Sequence, residues 1–338
     1  MARTRWHLKR AFSAFMAVSG VALLAGLASQ VEGIRPLLAF AVPYAALTIL
    51  LLGLSWRVIR WSKAPVPFRI PTVCGQEKSL PWIKAGWLES PSSTPGVIAR
   101  MSLEVLLFRS LFRNTRARLG AGPKLIYGEA KWLWLGALAF HWSLLVVLLR
   151  HLRFVVEPVP RLAVFLDGVD GFFQVGAPVL YATDILLLAG LLYLLQRRLR
   201  EPQIRFISLF TDYFALFLLL GIAISGVWMR YLARVDVVAV KQLALSLTIF
   251  SPSLPKNLSA LFFAHLALVS ALAAYLPFSK LMHVGGVFLS PTRNLANNNR
   301  SKRHVNPWNY PVKVHTYEEW EDEFRDKMKA AGMPVEKD

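Results

Sequence analysis

Cysteine is all but missing from this chain. Cys74 is the only one among 338 residues. That excludes a disulfide framework, a cysteine-held iron–sulfur set and covalent attachment of a prosthetic group through Cys-x-x-Cys-His. Acidic residues are scarce as well, 20 against 39 lysines and arginines, for a net charge of +19. No internal repeat and no low-complexity tract is present, which excludes a solenoid. What the sequence holds in excess is apolar residues, 55% of the total, at a mean hydropathy of +0.44.

These apolar residues come in blocks as long as a bilayer is thick. The clearest are Ala11–Ala28, Pro36–Trp56, Trp132–Leu149, Val175–Leu195, Leu209–Trp228 and Leu258–Leu276. A span needs roughly 20 mostly apolar residues, because hydrocarbon offers backbone polar groups no other partner. The expected fold is all-α, a polytopic membrane bundle of about six transmembrane helices.

The positive charge reports orientation rather than nucleic-acid binding. With a cytoplasmic N-terminus, 31 of the 39 basic residues fall on the cytoplasmic side, before the first span, between Arg57 and Lys131, between Arg197 and Arg205, and from Lys280 onward. Six spans with both termini cytoplasmic in the cell inner membrane follow. The basic loops then face anionic lipid headgroups or a partner subunit. Arg3, Arg5, Lys9 and Arg10 before an apolar run ending Ala25–Ser29 would also pass for a signal peptide; the expectation here is a retained anchor.

Residues 1–61 thus supply two N-terminal membrane helices and 62–130 a cytoplasmic loop. Within that loop Val97–Leu119 mixes Ile98, Met101, Val105, Phe108, Leu111 and Phe112 with Arg100, Arg109, Arg113, Arg116 and Arg118. It reads as an amphipathic helix along the interface, or as a docking helix. The outer segment Arg230–Lys256 is partly apolar and long enough to fold back on the helix ends. The tail 284–338 is soluble in character and includes a charged helix candidate, Tyr317–Lys329, acidic first and basic last.

Four of the seven histidines lie in or at the ends of two spans: His141 and His151 on the third, His265 and His283 on the sixth. An ionisable residue at membrane depth is costly and usually has a partner or a task. The first pair is ten residues apart, roughly 15 Å along a helix; the second is eighteen apart, five whole turns, so a continuous helix would put both on one face. With the third span running outward and the sixth inward, His141 meets His283 in the inner half and His151 meets His265 in the outer half. Two stacked b haems need this arrangement of neutral imidazoles. The separations along the two helices differ by about 12 Å, and Pro277 is placed to bend or end the sixth span before His283. Gly136 and Ala139 near His141, and the alanines of the sixth span, fit either a haem cradle or close helix packing.

This spacing resembles the gamma subunit family of respiratory nitrate reductase, di-haem membrane cytochromes b. The resemblance covers roughly Lys131–His283 and implies a four-helix di-haem domain at 131–283, with His141/His283 on the inner haem iron and His151/His265 on the outer. The segment from Lys280 through Arg300, with the first span and long loop, is similar to the DsrM-like cytochromes of dissimilatory sulfite-reduction electron-transfer complexes. That likeness implies a cytoplasmic heterodisulfide-reductase-like iron–sulfur partner, further membrane, iron–sulfur and multihaem subunits, and exchange with menaquinone or ubiquinone. Arg293, Asn294 and Arg300, just past the inner ligand, are the docking candidates. For the quinone head group and its protons the candidates are Asp184, Asp167, Asp170 and Lys241, with Arg234 and Asp236 nearby; Asp184 is placed about seven residues inside the fourth span. The expected role is electron transfer between a quinone pool and that partner as an oxidoreductase subunit. A transporter with proton- or metal-binding histidines, or a non-catalytic anchor, is the alternative; the missing inverted repeat weighs against a transporter.

Overall fold

The computed structural model describes residues 2–64, 78, 82, 84, 86–113, 115–119, 122, 125–171, 178–290, 294–298 and 314–337. Apolar blocks fold as helices because every backbone group is then paired within the segment. The first two are α1 (Ala2–Ala28) and α2 (Val42–Ser62), the latter led in by a 3-10 turn at Glu32–Ile34 and a π turn at Leu37–Ala41. The third block is α5 (Lys131–Val155), the fourth α7 (Ala182–Arg200), joined through short α8 (Pro202–Ile207) to the fifth, α9 (Phe210–Tyr231), and the sixth is α11 (Ala260–Tyr275).

Five stretches are long and apolar enough to cross a membrane: Leu8–Ala28, Glu32–Ser62, Lys131–Val155, Phe210–Tyr231 and Ala260–Phe278. The chain is a multi-pass membrane protein. Leu23, Leu24 and Leu27 are 65–69% exposed, a face suited to lipid rather than water. α7 falls outside the five on composition, because it carries Asp184 in its first turn and Arg197, Arg198 and Arg200 in its last. It still packs along both α5 and α9, and at 1.5 Å per residue it is about 28 Å long. Its charges lie at its two ends, where a span can carry them.

The two histidine-bearing helices have different neighbours. α5 packs on α7, on α6 (Arg161–Asp170) and on α10 (Val237–Thr248), whereas α11 packs on α1, α2 and α9. Phe140, Leu187, Leu191, Leu216, Leu220 and Ala223 form the core between α5, α7 and α9. A second cluster, Ala39, Ala239, Leu243, Leu258, Phe262 and Phe263, fastens α10 back onto the start of α11, so part of Arg230–Lys256 folds back on the helix ends. Asp236 caps α10, accepting from the amides of Val238 and Ala239 at 3.0 Å.

Two expectations change, over Val97–Leu119 and at the start of the fourth helix. Val97–Leu119 is not one helix. It divides into α3 (Thr94–Leu107), α4 (Arg109–Phe112) and strand β1 (Thr115–Leu119), which pairs antiparallel with β2 (Leu125–Glu129) around Gly122 at φ +80°. The helix stops at Phe108 in the left-handed region, and glycines at 120 and 122 favour a turn over continued helix. Arg100, one of the basic residues of that stretch, is 1% exposed. The fourth helix begins at Ala182, because Tyr181 is extended (φ −89°, ψ 133°); residues 175–177 of the expected span lie outside the described residues. The sixth span ends before His283, at the place where Pro277 was expected to bend or end it. α11 ends at Tyr275, Pro277 sits in a 3-10 turn (Leu276–Phe278), and a second turn (Lys280–Met282) leads into α12 (His283–Leu289). Proline cannot donate the next helical hydrogen bond, so the break falls there. The tail helix forms as α13 (Tyr317–Ala330), with Thr316 and Glu319 closing a capping box.

Candidate functional site

Each of the four helix histidines has its Nδ1 committed to an acceptor. His141 Nδ1 lies 2.7 Å from the Ala137 carbonyl, His151 Nδ1 2.7 Å from Val147 and His283 Nδ1 2.9 Å from Lys280. A carbonyl only accepts, so Nδ1 carries the proton and Nε2 keeps its lone pair. His265 reaches the same state through Ser225, whose hydroxyl is 2.8 Å from Nδ1. The single Ser225 proton goes to the Gly221 carbonyl at 2.7 Å, so Oγ accepts from His265. Four imidazoles therefore present a free Nε2, the form that binds iron.

The inner pair comes together. The His141 and His283 rings stand 5.9 Å apart between centres at 82°. Two imidazoles sharing one iron need roughly 6 Å, from two metal–nitrogen bonds of about 2 Å plus the ring radii. Both line a cavity of 570 Å³ walled by Phe140, Leu191, Leu194, Leu216 and Leu219, within the roughly 300–1,000 Å³ usual for cofactor sites. Its mouth carries Arg57, Arg197, Arg198, Lys280 and Asp212. Asp212 holds Lys280 at 2.8 Å and Arg198 at 3.8 Å, and Glu201 holds Arg197 at 3.4 Å. Arg57 stacks on Trp61, and its buried Nε has no hydrogen-bond partner among the described residues. Two axial nitrogens, apolar walls and spare positive charge at one rim fit a b haem and its two carboxylates. Among the described residues no group of three or more His, Cys, Asp or Glu is arranged to hold a bare metal ion. A haem brings four ligands of its own and needs only two from the protein.

The outer pair is arranged differently. His151 and His265 lie within electrostatic reach of each other. Beside them Arg150 is buried at the centre of an ion network. It pairs with Asp170, stands 3.5 Å from Asp184 and 3.8 Å from Asp167, and stacks on Tyr181 at 3.6 Å. Asp170 also accepts from the Thr183 amide at 2.8 Å and from the Thr183 hydroxyl at 2.5 Å. Tyr231 donates to Asp184 at 2.7 Å. Burial works to raise the Asp167 pKa, but hydrogen bonds from Arg153 and Tyr181 and the charges of Arg153 and Arg150 outweigh it and hold the carboxyl below its usual range. Burial, with the Asp167 hydrogen bond, pushes the Tyr181 hydroxyl up.

The structure gathers Asp167, Asp170 and Asp184 around one arginine, with Asp184 at the N-terminal turn of α7 rather than deep within a span. Lys241 lies apart from them on α10 and pairs with Glu157. Asn294 donates to the Phe288 carbonyl of its own chain; Arg293 and Arg300 lie outside the described residues. Gly136 and Gly190 serve packing, since a Cβ on either would press into Tyr193 or Phe140 across the α5–α7 contact. Sequence reasoning missed Arg57, Arg150, Ser225 and Tyr231. The available signals were Arg150 adjoining a membrane histidine and Ser225-Gly226 within an otherwise apolar helix.

The sequence profile of the nitrate reductase gamma subunit family matches residues 98–300. The chain belongs to that family. It is also similar to the Hdr-like menaquinol oxidoreductase cytochrome b-like subunit of Archaeoglobus fulgidus, 44% identical over 274 residues, 79% of this chain and 82% of the relative. The subunit of the same name from Archaeoglobus profundus is 42% identical over 276 residues, 80% of this chain and 82% of that one. The resemblance read from the histidine spacing and from Lys280–Arg300 thus holds, and the chain is a DsrM-like cytochrome b. The family match begins inside α3, so α2 lies outside it, yet α2 brings Arg57 to the inner cavity.

Proposed function

We propose that this subunit carries electrons across the cell inner membrane between a quinol pool and a cytoplasmic iron–sulfur partner. Two b haems are held there by His141/His283 and His151/His265. The observation that carries this reading is the set of four imidazoles with free Nε2, one pair already at the separation that a shared iron requires. When bound, each haem supplies reversible one-electron chemistry. The protein's own part is to fix the ring tautomers, exclude water with Phe140, Leu191 and Leu216, and offset the haem carboxylates with Arg57.

Menaquinol is the favoured substrate, because both relatives are named as subunits of menaquinol oxidoreductases. Oxidising a quinol releases two electrons and two protons. The electrons pass inward to the partner, and the protons leave on the outer side through Asp184 and Tyr231, which already share a hydrogen bond. Asp170 is fully engaged by Thr183 and Arg150, so its role is to hold the network. The basic segment with Arg293 and Arg300 forms the docking surface for a heterodisulfide-reductase-like subunit in a multisubunit complex, with six spans and both termini cytoplasmic. An optical spectrum of the purified subunit tests the reading. Sharp reduced bands of bis-imidazole b haem, at two haems per chain, are expected; a spectrum without haem bands returns the chain to the transporter or anchor class.

A further inference from the structure

The His141 ring meets two aromatic rings in edge-on geometry. Phe140, its neighbour on α5, stands 4.7 Å away at 69°. The other ring comes from outside the membrane helices. Phe108, at the junction of α3 and α4, stands 4.9 Å away at 75°. Its backbone is left-handed, φ 49° and ψ 45°. That conformation is uncommon for any residue with a side chain and is an outlier for a bulky one. Glycine is the usual residue at such a helix end, so the phenyl ring is kept here against local preference.

The junction is clamped to α5 as well. Trp142 donates its indole N–H to the Leu106 carbonyl at 3.0 Å, and Trp134 donates to Leu107 at 2.7 Å. Both carbonyls belong to the last turn of α3, where helical partners run out. On the far side Arg109 joins Glu89 at 2.5 Å. The neighbouring Ser90 and Pro91 receive Asn297, at 3.2 Å from its side chain to the Ser90 hydroxyl and 2.7 Å from its amide to the Pro91 carbonyl. One unbroken set of contacts therefore runs from the inner histidine through Phe108 into the cytoplasmic loop and on to the segment that follows His283.

We propose that Phe108 is a positioning residue for the inner haem: its ring sets the plane of the His141 imidazole, and the clamped α3–α4 junction makes that plane responsive to whatever holds the cytoplasmic loop. The inference rests on the di-haem reading and adds a control point to it. Surroundings that orient an axial ligand tune the electronic state of its iron. Substitution here is clean, because Phe108→Gly suits the left-handed backbone and removes only the ring.

The test uses the full-length subunit, purified in lipid, with low-spin ferric resonances read by electron paramagnetic resonance alongside haem content. Phe108→Gly should shift or remove the inner-haem resonance and leave the outer one at its wild-type position. Phe108→Tyr, which keeps the ring, should restore the wild-type spectrum, and Trp142→Phe should give a smaller shift of the same sign. Identical spectra in wild type and Phe108→Gly would overturn the proposal, as would equal displacement of both resonances. A wild-type protein without any haem resonance would instead overturn the di-haem reading on which it rests.

Discussion

At the inner end, His283 arrives on a broken segment. Pro277 ends α11, two short turns follow, and the ligand opens α12 beside a cavity whose rim is rich in arginine and lysine. At the outer end, His265 sits within unbroken α11, its Nδ1 held by Ser225 from α9, and three carboxylates balance the charge around Arg150. One end is irregular and carries surplus positive charge; the other is regular and charge-compensated. The break resolves a geometric conflict, because eighteen residues of straight helix would carry His283 well past the level of His141. The difference teaches how one pair of helices with unequal ligand spacing supports two sites.

The comparison breaks most readily at Arg150. Arg150→Leu leaves Asp170, whose side chain is 3% exposed, as a buried carboxylate without its cation. A loss of about 3–5 kcal/mol is expected. Lys280→Ala removes a partner whose side chain is 75% exposed and should cost no more than about 1 kcal/mol. Thermal unfolding in matched lipid reads both, and equal destabilisation would erase the distinction between the two ends. Next in size is Gly53 on α2, where an added Cβ would lie 2.7 Å from the Pro277 ring. Gly53→Ala should cost about 1–3 kcal/mol through overpacking and reduce inner-haem occupancy while the outer haem stays. Haem quantification checks it; loss from the outer site instead would show that the break does not position His283.

Smaller effects belong to the outer end. Ser225→Ala removes the acceptor of His265 Nδ1 together with the hydroxyl's bond to Gly221, each worth about 1 kcal/mol. It should shift the potential of the outer component alone, with haem retained, in a redox titration. Asp167 gives a pH signature. Its folded carboxyl titrates below its unfolded value of about 3.9. Its stabilising contribution is therefore complete above that value and lost as pH falls through the lower, folded one. Melting temperature should decline on acidification in this window, and less steeply in Asp167→Asn.

Much of this was legible in the sequence, for identifiable reasons. Helices at membrane depth have no alternative partners for their backbone, so block length alone located α1, α2, α5, α9 and α11. The four histidines stood out because such residues are rare at that depth. Charge pairing was not legible. Asp167, Asp170 and Asp184 read as quinone candidates, and nothing in the sequence told that all three converge on Arg150, a contact that depends on how α6 and α7 return to α5. The end of α3 was missed for a related reason. Nothing local marks Phe108 as a helix terminus, and its left-handed turn is stabilised by tryptophans from a different helix. The start of α7 was misplaced because apolar residues continue ahead of Tyr181, and Pro178–Leu180 are not helical.

The central claim is that the early histidine of one helix meets the late histidine of the other. Single alanine variants at His141, His151, His265 and His283, each assayed for haem content and for reduced-minus-oxidised spectra during potentiometric titration, test it directly. The account predicts that His141→Ala and His283→Ala remove one and the same spectral component, and that His151→Ala and His265→Ala remove the other. Loss of a common component from His141→Ala and His265→Ala would contradict the pairing and the six-span topology built on it.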